Sequence, residues 1–438
     1  MKNLSASFRV LIFSGIFLSV VFANAQNTIG YGPRAKSMAG AGTALVEHAL
    51  WGNLNPGGLV FLGQKYGISL EGSIPTSSYQ VIGEPSNFEQ NADTPWPLGL
   101  HPGLVEAEKK TALMPQIGIN ILLDDNNSIG LSIYGNNNRG CTYNERTYHS
   151  SVIESFGSSE GFINPMGTVT SPTFLKLNQY FIALSYSRKL GEKWGLGFSA
   201  IGAWQSLNTA GLEAFGSLGY SANPDKLTNN ESANSFGAGA KLGVQWMLSE
   251  KVQFGLAFRT KLVMSTFSSY QGLIAKNGSM DIPGEINFGM VYHPFERFLL
   301  ALDVNRYCYS QVPAWGLAMQ QNGGVSLGGE QGGGFGRKDQ MSYKLGVQYK
   351  IPNWQFRAGY AHTDQPLVSS EVLLNLLIPD ITTNFVSLGA SRKLGKQTIN
   401  FAIVRGLKNS FTGINILDQG QAIELQTDSW IMELAIEF

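Results

Sequence analysis

The stretch WIMELAIEF at residues 430–438, which ends the chain, shows the pattern on which the fold depends. Every second residue in it is large and apolar, whereas Glu433 and Glu437 belong to the alternate set. Because successive side chains of a β-strand point to opposite faces, this alternation predicts a strand with one apolar face. The segments 236–246 and 342–350 repeat the pattern. We therefore predict an all-β fold.

The connections between these strands are alternately short and long. Six short turns and seven long loops join fourteen strands. This rhythm is typical of barrels in the outer membrane of Gram-negative bacteria, where the apolar strand face meets lipid and the polar face lines a lumen. We predict a closed 14-stranded antiparallel transmembrane β-barrel over residues 63–438, with no free edge. A soluble sandwich explains any single strand equally well, but the number of strands favours the barrel. The short turns are predicted at 124–127, 190–192, 248–250, 293–295, 351–353 and 394–396.

The N-terminus has the features of an export signal. Lys2 and Arg9 lead into an apolar run over residues 10–22, and small residues follow at 23–25. The run is too short for a helix that spans a bilayer, which takes about 20 residues. Residues 1–25 are therefore predicted to be a signal peptide that is removed on export.

The segment that follows, YGPRAKSMAGAGTALVEHALWGNLNPGGLV at residues 31–60, shows no strand alternation. It has little apolar surface to bury, and its glycines disfavour a helix. A barrel wider than about eight strands leaves a lumen that its own side chains do not fill. We predict that residues 26–62 form a hatch inside the barrel.

The composition argues against several classes of function. Lys and Arg together number 31, as do Asp and Glu, so no basic surface for nucleic acid is indicated. Cys141 and Cys308 lie far apart and show no metal-ligand spacing, so neither a metal nor a cofactor is expected. The five histidines are scattered, and none lies beside a Gly-x-Ser-x-Gly motif. No catalytic residues are predicted, and the protein is not expected to be an enzyme.

Two parts of the sequence together resemble the FadL-like family of outer-membrane transporters for long-chain fatty acids and aromatic hydrocarbons. One is the Gly-rich segment that ends in Asn-Pro-Gly at residues 55–57, where the family usually has Asn-Pro-Ala. The other is the segment 338–389, in which the motifs KD, WQFRAG, DQP and IPD follow in family order. The resemblance implies that a ligand is captured among extracellular loops, and that it leaves sideways through a gap at a kink in the third strand.

The resemblance also assigns residues to the hatch and the gate. Asn55 and Pro56 match the hatch motif, and Gly57 completes its turn. Gly135 and Asn136 begin a Gly-Asn-Asn-Asn run at the end of the third strand, where such residues interrupt regular pairing. The run is equally compatible with an ordinary loop start. The hatch turn is expected to cover the break near Gly135.

Ligand contacts are expected from a few cations and from the loops. Lys338 matches a family lysine associated with the fatty acid carboxylate, although a solvated charge at a loop end has the same pattern. The partner arginine of the family is not evident; Arg259 and Lys261, which face the lumen in the predicted register, could replace it or simply fill polar space. The apolar loops indicate either a binding groove or loops that pack on one another as a cap. The loop residues expected to contact the ligand are Phe156, Phe162, Leu212 and Phe215.

The predicted function is uptake of hydrophobic small molecules, above all long-chain fatty acids, across the outer membrane of a Gram-negative bacterium. The expected partners are the hydrophobic ligand and outer-membrane lipid, and the protein is expected to be a monomer. The alternative is an accessory protein of a secretion machine, from the same superfamily, which binds protein partners rather than lipid. A lipid that co-purifies with the protein would discriminate between them.

Overall fold

The structure, a computed structural model, describes residues 29–86, 97–135, 139–144, 147–148, 172–321 and 324–438. The predicted signal peptide at residues 1–25 lies outside these ranges, as do Asn136, Phe156 and Phe162. Among the described residues, no helix has the length and the hydropathy needed to cross a bilayer.

Fourteen long strands form one closed antiparallel barrel, as the sequence predicts. Each strand pairs with the next in the chain, and the first pairs with the last from Gly67↔Glu437 to Ile82↔Ala422, so the sheet has no free edge. The strands are β1 (Lys65–Ile82), β2 (Ala112–Asp124), β3 (Asn127–Gly135), β4 (Thr173–Leu190), β5 (Trp194–Ala210), β6 (Ala233–Met247), β7 (Val252–Arg259), β8 (Gly284–Phe295), β9 (Phe298–Cys308), β10 (Gln340–Ile351), β11 (Trp354–Thr363), β12 (Asn384–Leu394), β13 (Gln397–Ile414) and β14 (Ala422–Glu437).

The barrel is apolar on its outside and polar on its inside. In β14, Trp430, Met432 and Leu434 are exposed on the outer face, whereas Glu433 and Glu437 are buried in the lumen. A soluble protein would place these two sets the other way round. The inversion is the arrangement that suits strands surrounded by lipid.

One predicted turn lies in a different place. The turn expected at 293–295 belongs to β8, which continues to Phe295 and pairs there with Phe298 after a register shift that follows Tyr292. Because Pro294 has no N–H for the ladder, a bulge tolerates it better than regular pairing does.

Some strands are longer than the alternation indicates. β1 continues to Ile82, through residues that do not alternate clearly. Ser77 and Ser78 obscure the alternation, yet their backbone is paired with Thr427 and Gln426 of β14. The ladder therefore extends well beyond the clearly amphipathic part of the strand.

Residues 29–62, here called the hatch segment, are almost entirely buried within the barrel. Glycines on the inner faces of the strands let its backbone approach the wall. A Cβ built on Gly195 would lie 2.2 Å from the Gly57 carbonyl oxygen, and one built on Gly359 would lie 2.2 Å from the Met38 carbonyl carbon. We call these residues the glycine belt: Gly118, Gly195, Gly197, Gly243, Gly255, Gly289, Gly346, Gly359 and Gly389.

The hatch segment contains Pro33–Lys36 and Leu59–Leu62 as short α-helices, and Ala49–Asn53 and Pro56–Gly58 as 3-10 turns.

The long loops pack into one apolar core at their end of the barrel. Its buried members come from many loops and include Leu98, Tyr148, Phe215, Trp315 and Leu373. The loops therefore cover one another instead of extending into solvent. Their short strands are Gly103–Glu106, Thr142–Tyr143, Val263–Met264, Gln320–Gln321 and Gly324–Val325, and their helical turns are Glu213–Ser217, Pro224–Lys226, Ser268–Tyr270, Ala275–Gly278, Tyr309–Gln311, Pro313–Gly316, Ser369–Glu371 and Val372–Asn375.

Candidate ligand-binding site and gate

Lys338 and its neighbour Arg337 point in opposite directions. Lys338 is exposed just before β10, whereas Arg337 is 1% exposed. The Arg337 guanidinium donates hydrogen bonds to Asp380 Oδ2 at 3.0 Å, to the Ile378 carbonyl at 2.6 Å and to Asn375 Oδ1 at 3.2 Å. The buried cation at this point of the chain is therefore Arg337, which was not predicted from the sequence.

A second buried arginine, Arg139, approaches the same carboxylate. Its Nη1 lies 3.4 Å from Asp380 Oδ2, and its Nη2 lies 3.4 Å from the Tyr309 hydroxyl. The guanidinium carbons of Arg139 and Arg337 each lie 5.2 Å from the centroid of the Trp315 indole, a cation–π distance. Arg139, Arg337, Asp380, Tyr309 and Trp315 are called the upper cluster below.

The upper cluster carries more positive charge than its own carboxylate can balance. Two arginines share Asp380, and they do so inside the apolar loop core. Burial opposes the charge on Arg139, but Tyr309 and Asp380 outweigh this effect, and the pKa of Arg139 is raised. Arg139 Nε and Nη1 and Trp315 Nε1 are buried and make no hydrogen bond with the described residues. Unpaired donors beside an excess of positive charge are suited to an anion.

An aromatic row lies between the hatch segment and the barrel wall. The ring centroid of Tyr31, in the hatch segment, lies 4.6 Å from that of Tyr134 in β3, edge to face. Tyr134 makes a similar contact with Phe181 of β4 at 5.1 Å. These three residues connect the hatch segment with β3 near its end.

Arg259 and Lys261, the two predicted substitutes for the missing arginine, lie in different surroundings. Arg259 is buried, its Nη2 lies 3.5 Å from Glu285 Oε2, and its Nε is buried without a hydrogen bond among the described residues. Lys261 is half-buried, and its Nζ lies 2.7 Å from Asp281 Oδ2. Of the two, only Arg259 has an unpaired buried N–H, and its role in ligand binding stays a prediction.

The predicted loop contacts Leu212 and Phe215 are both completely buried in the loop core. The ring centroid of Phe215 lies 4.9 Å from that of Tyr148. They pack against other loops in this conformation, which is the second of the two interpretations that the sequence left open. Whether they also contact a ligand stays a prediction.

The Asn-Pro-Gly turn fastens the hatch segment to the wall far from Gly135. Asn55 Oδ1 accepts the N–H of Gly57 at 3.0 Å, and Asn55 Nδ2 donates to the Val244 carbonyl of β6 at 3.0 Å. A Cβ on Gly197 of β5 would lie 2.3 Å from the Pro56 carbonyl carbon. The expectation that this turn covers the break near Gly135 is therefore wrong, because the tight turn lies against the glycines of β5 and β6.

The barrel wall is interrupted between β2 and β3. Their described pairing ends at Ile117↔Ile133, although β2 remains paired with β1 as far as Ala112. On its other side, β3 stays paired with β4 as far as Gly135↔Tyr180. The next described bridge is Arg139↔Leu177, whose register differs by one residue from that of Gly135↔Tyr180. The backbone pairing of β2 with β3 therefore stops beyond Ile117 and Ile133.

Met114 of β2 occupies the space beside this interruption. A Cβ built on Gly135 would lie 1.9 Å from Met114 Sδ. Met114 is only 4% exposed, although the next residue, Pro115, faces outward. Proline at a strand edge leaves no N–H unpaired, which lowers the cost of exposing that edge to lipid.

Ion pairs hold the first half of the hatch segment against the wall. Lys36 Nζ lies 2.6 Å from Glu71 Oε2 of β1 and 2.7 Å from Glu433 Oε2 of β14. Arg34 Nη2 lies 3.0 Å from Glu437 Oε2. Burial disfavours the charged form of Lys36, but Glu433 and Glu71 outweigh it, so the pKa of Lys36 is raised.

Glu47 extends the same network to two further strands. Its carboxylate lies 2.9 Å from Lys350 Nζ, 3.4 Å from Arg357 Nη2 and 3.5 Å from Arg34 Nη1. Burial alone would raise the pKa of Glu47, but these three cations, Arg357 most strongly, lower it. Apart from Lys350, whose side chain is 38% exposed, the charges that hold the hatch segment are paired away from water. Within the described ranges, no group of three His, Cys, Asp or Glu residues could hold a metal ion.

Comparisons with known proteins agree with this architecture. The family model described as "Outer membrane protein transport protein (OMPP1/FadL/TodX)" matches residues 17–428. The toluene transporter TodX of Pseudomonas putida is 17% identical, and the match covers 94% of this chain and 98% of that chain with a TM-score of 0.63. A FadL homologue of Pseudomonas aeruginosa is 16% identical over 96% of this chain and 99% of that chain, with a TM-score of 0.63. At these identities the likeness shows the fold alone. No curated protein matches the sequence significantly.

Proposed function

Because this chain belongs to the OMPP1/FadL/TodX family of outer membrane transport proteins, we propose that it takes up long-chain fatty acids, hydrophobic molecules that carry a carboxylate. The observation that carries the proposal is the upper cluster, where Arg139 and Trp315 have buried donors without hydrogen-bond partners among the described residues. A carboxylate accepts such hydrogen bonds and balances the excess positive charge.

The alternative ligand within the family is an uncharged hydrocarbon, such as the toluene named for the Pseudomonas putida relative. A hydrocarbon would leave Arg139 Nε and Trp315 Nε1 without hydrogen-bond partners among the described residues of an apolar site. Each unpaired buried donor costs about 1–3 kcal/mol. The chemistry of the upper cluster therefore favours an acid over a hydrocarbon.

The alkyl tail supplies most of the affinity in this proposal. Each methylene group that moves from water into an apolar site contributes about 0.8 kcal/mol. Leu212 and Phe215 lie in the loop core around the upper cluster and are proposed as part of the tail's surroundings, as are Phe156 and Phe162. The carboxylate mainly sets the orientation of the ligand.

The proposed route leads from the loops past the aromatic row to the break between β2 and β3. Arg259 lies beside that row, with its guanidinium carbon 5.8 Å from the centroid of Phe181. A fatty acid that leaves sideways keeps its tail in apolar surroundings, whereas one that leaves through the barrel end must enter water. Residues 26–62 are proposed to act as the hatch that closes the route through the barrel end.

The test compares a buried cation, Arg139, with an exposed one, Lys338. Arg139→Met should weaken oleate binding at least tenfold, which corresponds to about 1.4 kcal/mol, because the variant lacks the charged donors. Binding of 1-octadecene, a hydrocarbon of similar length, should be unchanged. Lys338→Ala should alter neither, since Lys338 is exposed. Dissociation constants of the purified proteins in detergent provide the measurement.

The result could contradict the proposal in two ways. Equal losses of oleate and octadecene binding in Arg139→Met would mean that the arginine supports the loops and does not recognise the head group. If the wild-type protein binds neither ligand but captures a purified periplasmic or surface protein, the accessory role in secretion replaces transport.

A further inference from the structure

We propose that Met114 is the side chain that sets how large a molecule can leave through the barrel wall. The proposal rests on the function proposed above and concerns the last step of that route. The family match assigns no residue to this role.

The Met114 sulfur lies in the wall itself. By strand alternation Met114 belongs to the inward-facing set of β2, together with Ala112 and Gln116, which are also buried. Gly135 belongs to the set of β3 that includes the exposed Ile133, so its missing side chain would point outward. Nevertheless, the Met114 sulfur occupies the space of a Gly135 Cβ. The thioether therefore lies between the two strands, at the level where their pairing has ended.

The neighbours of Met114 indicate that this space matters for passage. Tyr134, adjacent to Gly135, is buried and contacts Tyr31 of the hatch segment. Pro115, adjacent to Met114, faces the lipid. The sulfur thus separates the lumen, at the aromatic row, from the hydrocarbon outside.

Methionine suits a closing side chain that must also move. It is unbranched, it is apolar, and its three rotatable bonds let it change position without a shift of the backbone. Because Gly135 contributes no side chain, Met114 is the side chain that fills this space among the described residues of β2 and β3. Rotation of one side chain then opens an apolar passage to the lipid.

The experiment varies the size of residue 114 and of the cargo. Cells that express the full-length protein are given oleate or 12-(1-pyrenyl)dodecanoic acid, and initial uptake rates are measured. Met114→Ala should raise uptake of the pyrene acid at least threefold and change oleate uptake less than twofold. Met114→Trp should lower uptake of both acids at least threefold, with oleate affinity of the purified protein unchanged.

A matched control lies one residue away. Leu113 is at the same level of β2 but faces the lipid, where it is 43% exposed. Leu113→Ala should leave the uptake of both acids at the wild-type rate. Surface expression is compared for all variants, and Met114→Phe replaces the tryptophan variant if the latter does not assemble.

The possible outcomes separate this inference from the proposed function. If the wild-type protein takes up both acids above the vector control but uptake does not depend on the size of residue 114, Met114 is not the gate and the transport function stands. An equal effect of Leu113→Ala also overturns the inference. If the wild-type protein takes up neither acid, both proposals fail together.

Discussion

A single buried side chain, His48, makes the stability of the hatch segment inside the barrel depend on pH. Its Nδ1 accepts the Leu50 N–H at 2.9 Å, which leaves the proton of the neutral ring on Nε2, 3.2 Å from Glu437 Oε1. Burial lowers the pKa of His48 from 6.5 to about 4, although Glu437 opposes this shift. Arg34 and Arg357 also lower it. His48 is therefore neutral in the seated hatch segment.

We expect the hatch segment to become less stable as the pH falls from 6.5 to 4. In this window a displaced His48 binds a proton that the buried one does not, so stability decreases by up to about 1.4 kcal/mol per pH unit. Glu47, with its lowered pKa, adds to the loss only below about pH 4.5. The protection of the hatch amides against hydrogen exchange, expressed relative to their intrinsic exchange rates at each pH, should decrease over this range in the wild type. In His48→Gln it should stay constant between pH 6.5 and 5, with the barrel amides as internal reference.

The same slope in His48→Gln would contradict this assignment. The pH dependence would then come from the carboxylates of the ion-pair network.

Adjacent residues also show where inference from sequence stops. In β14 the alternation alone places Glu433 inside and Met432 outside, because a ladder fixes the side of each residue. No ladder extends to Arg337 and Lys338, so their directions depend on how the loops pack. The sequence indicated a cation at this point of the chain, and only the loop core shows that the buried one is Arg337.

At the scale of elements, the strands could be predicted from local pattern, whereas the contacts of the hatch segment could not. Period-two alternation and short turns are properties of neighbouring residues. The Asn-Pro-Gly turn is local too, but its position against β5 and β6 depends on glycines such as Gly197 and Gly243, far away in the chain. Glycine ordinarily weakens a strand. The reason for these glycines is seen only in the structure, where the hatch backbone packs against them.

Substitution within the glycine belt should therefore unseat the hatch segment. Gly197→Ala adds a Cβ that would lie only 2.3 Å from the Pro56 carbonyl carbon. Overpacking of this kind costs about 1–3 kcal/mol. We expect higher ion conductance through single molecules in planar lipid bilayers, because a displaced segment leaves the lumen open.

Gly72→Ala is the matched control for this prediction. Gly72 lies in β1, and a Cβ there would meet only Leu113 Cδ2, at an ordinary 3.6 Å. Its conductance should equal that of the wild type. Unchanged conductance in Gly197→Ala would show that the barrel strands shift to accommodate the added Cβ and that the hatch segment keeps its position.

For the whole molecule, the break between β2 and β3 predicts that cargo leaves sideways. Cysteines at positions 115 and 135 continue the register that ends at Ile117↔Ile133, so a disulfide between them should close the wall. In a background that lacks the native Cys141 and Cys308, oxidation of Pro115→Cys/Gly135→Cys should abolish oleate uptake, and reduction should restore it to the rate of the Gly135→Cys single variant, whose added Cβ displaces Met114 Sδ.

A second disulfide controls for the cross-link itself. Ile117→Cys/Ile133→Cys joins residues that are already paired, and its oxidation should leave uptake unchanged. Full uptake with the 115–135 link closed would mean that the cargo passes through the hatch segment instead.

Lys36 has a consequence for the order in which the protein is assembled. Its two carboxylate partners, Glu71 and Glu433, belong to the first and the last strand of the barrel, which meet where the sheet closes. The lysine can be fully paired only after the last strand has joined the first. Although Lys36 is synthesised before any strand, its two ion pairs are completed only after the barrel has closed, and they then link the first and last strands where an unfinished barrel would open.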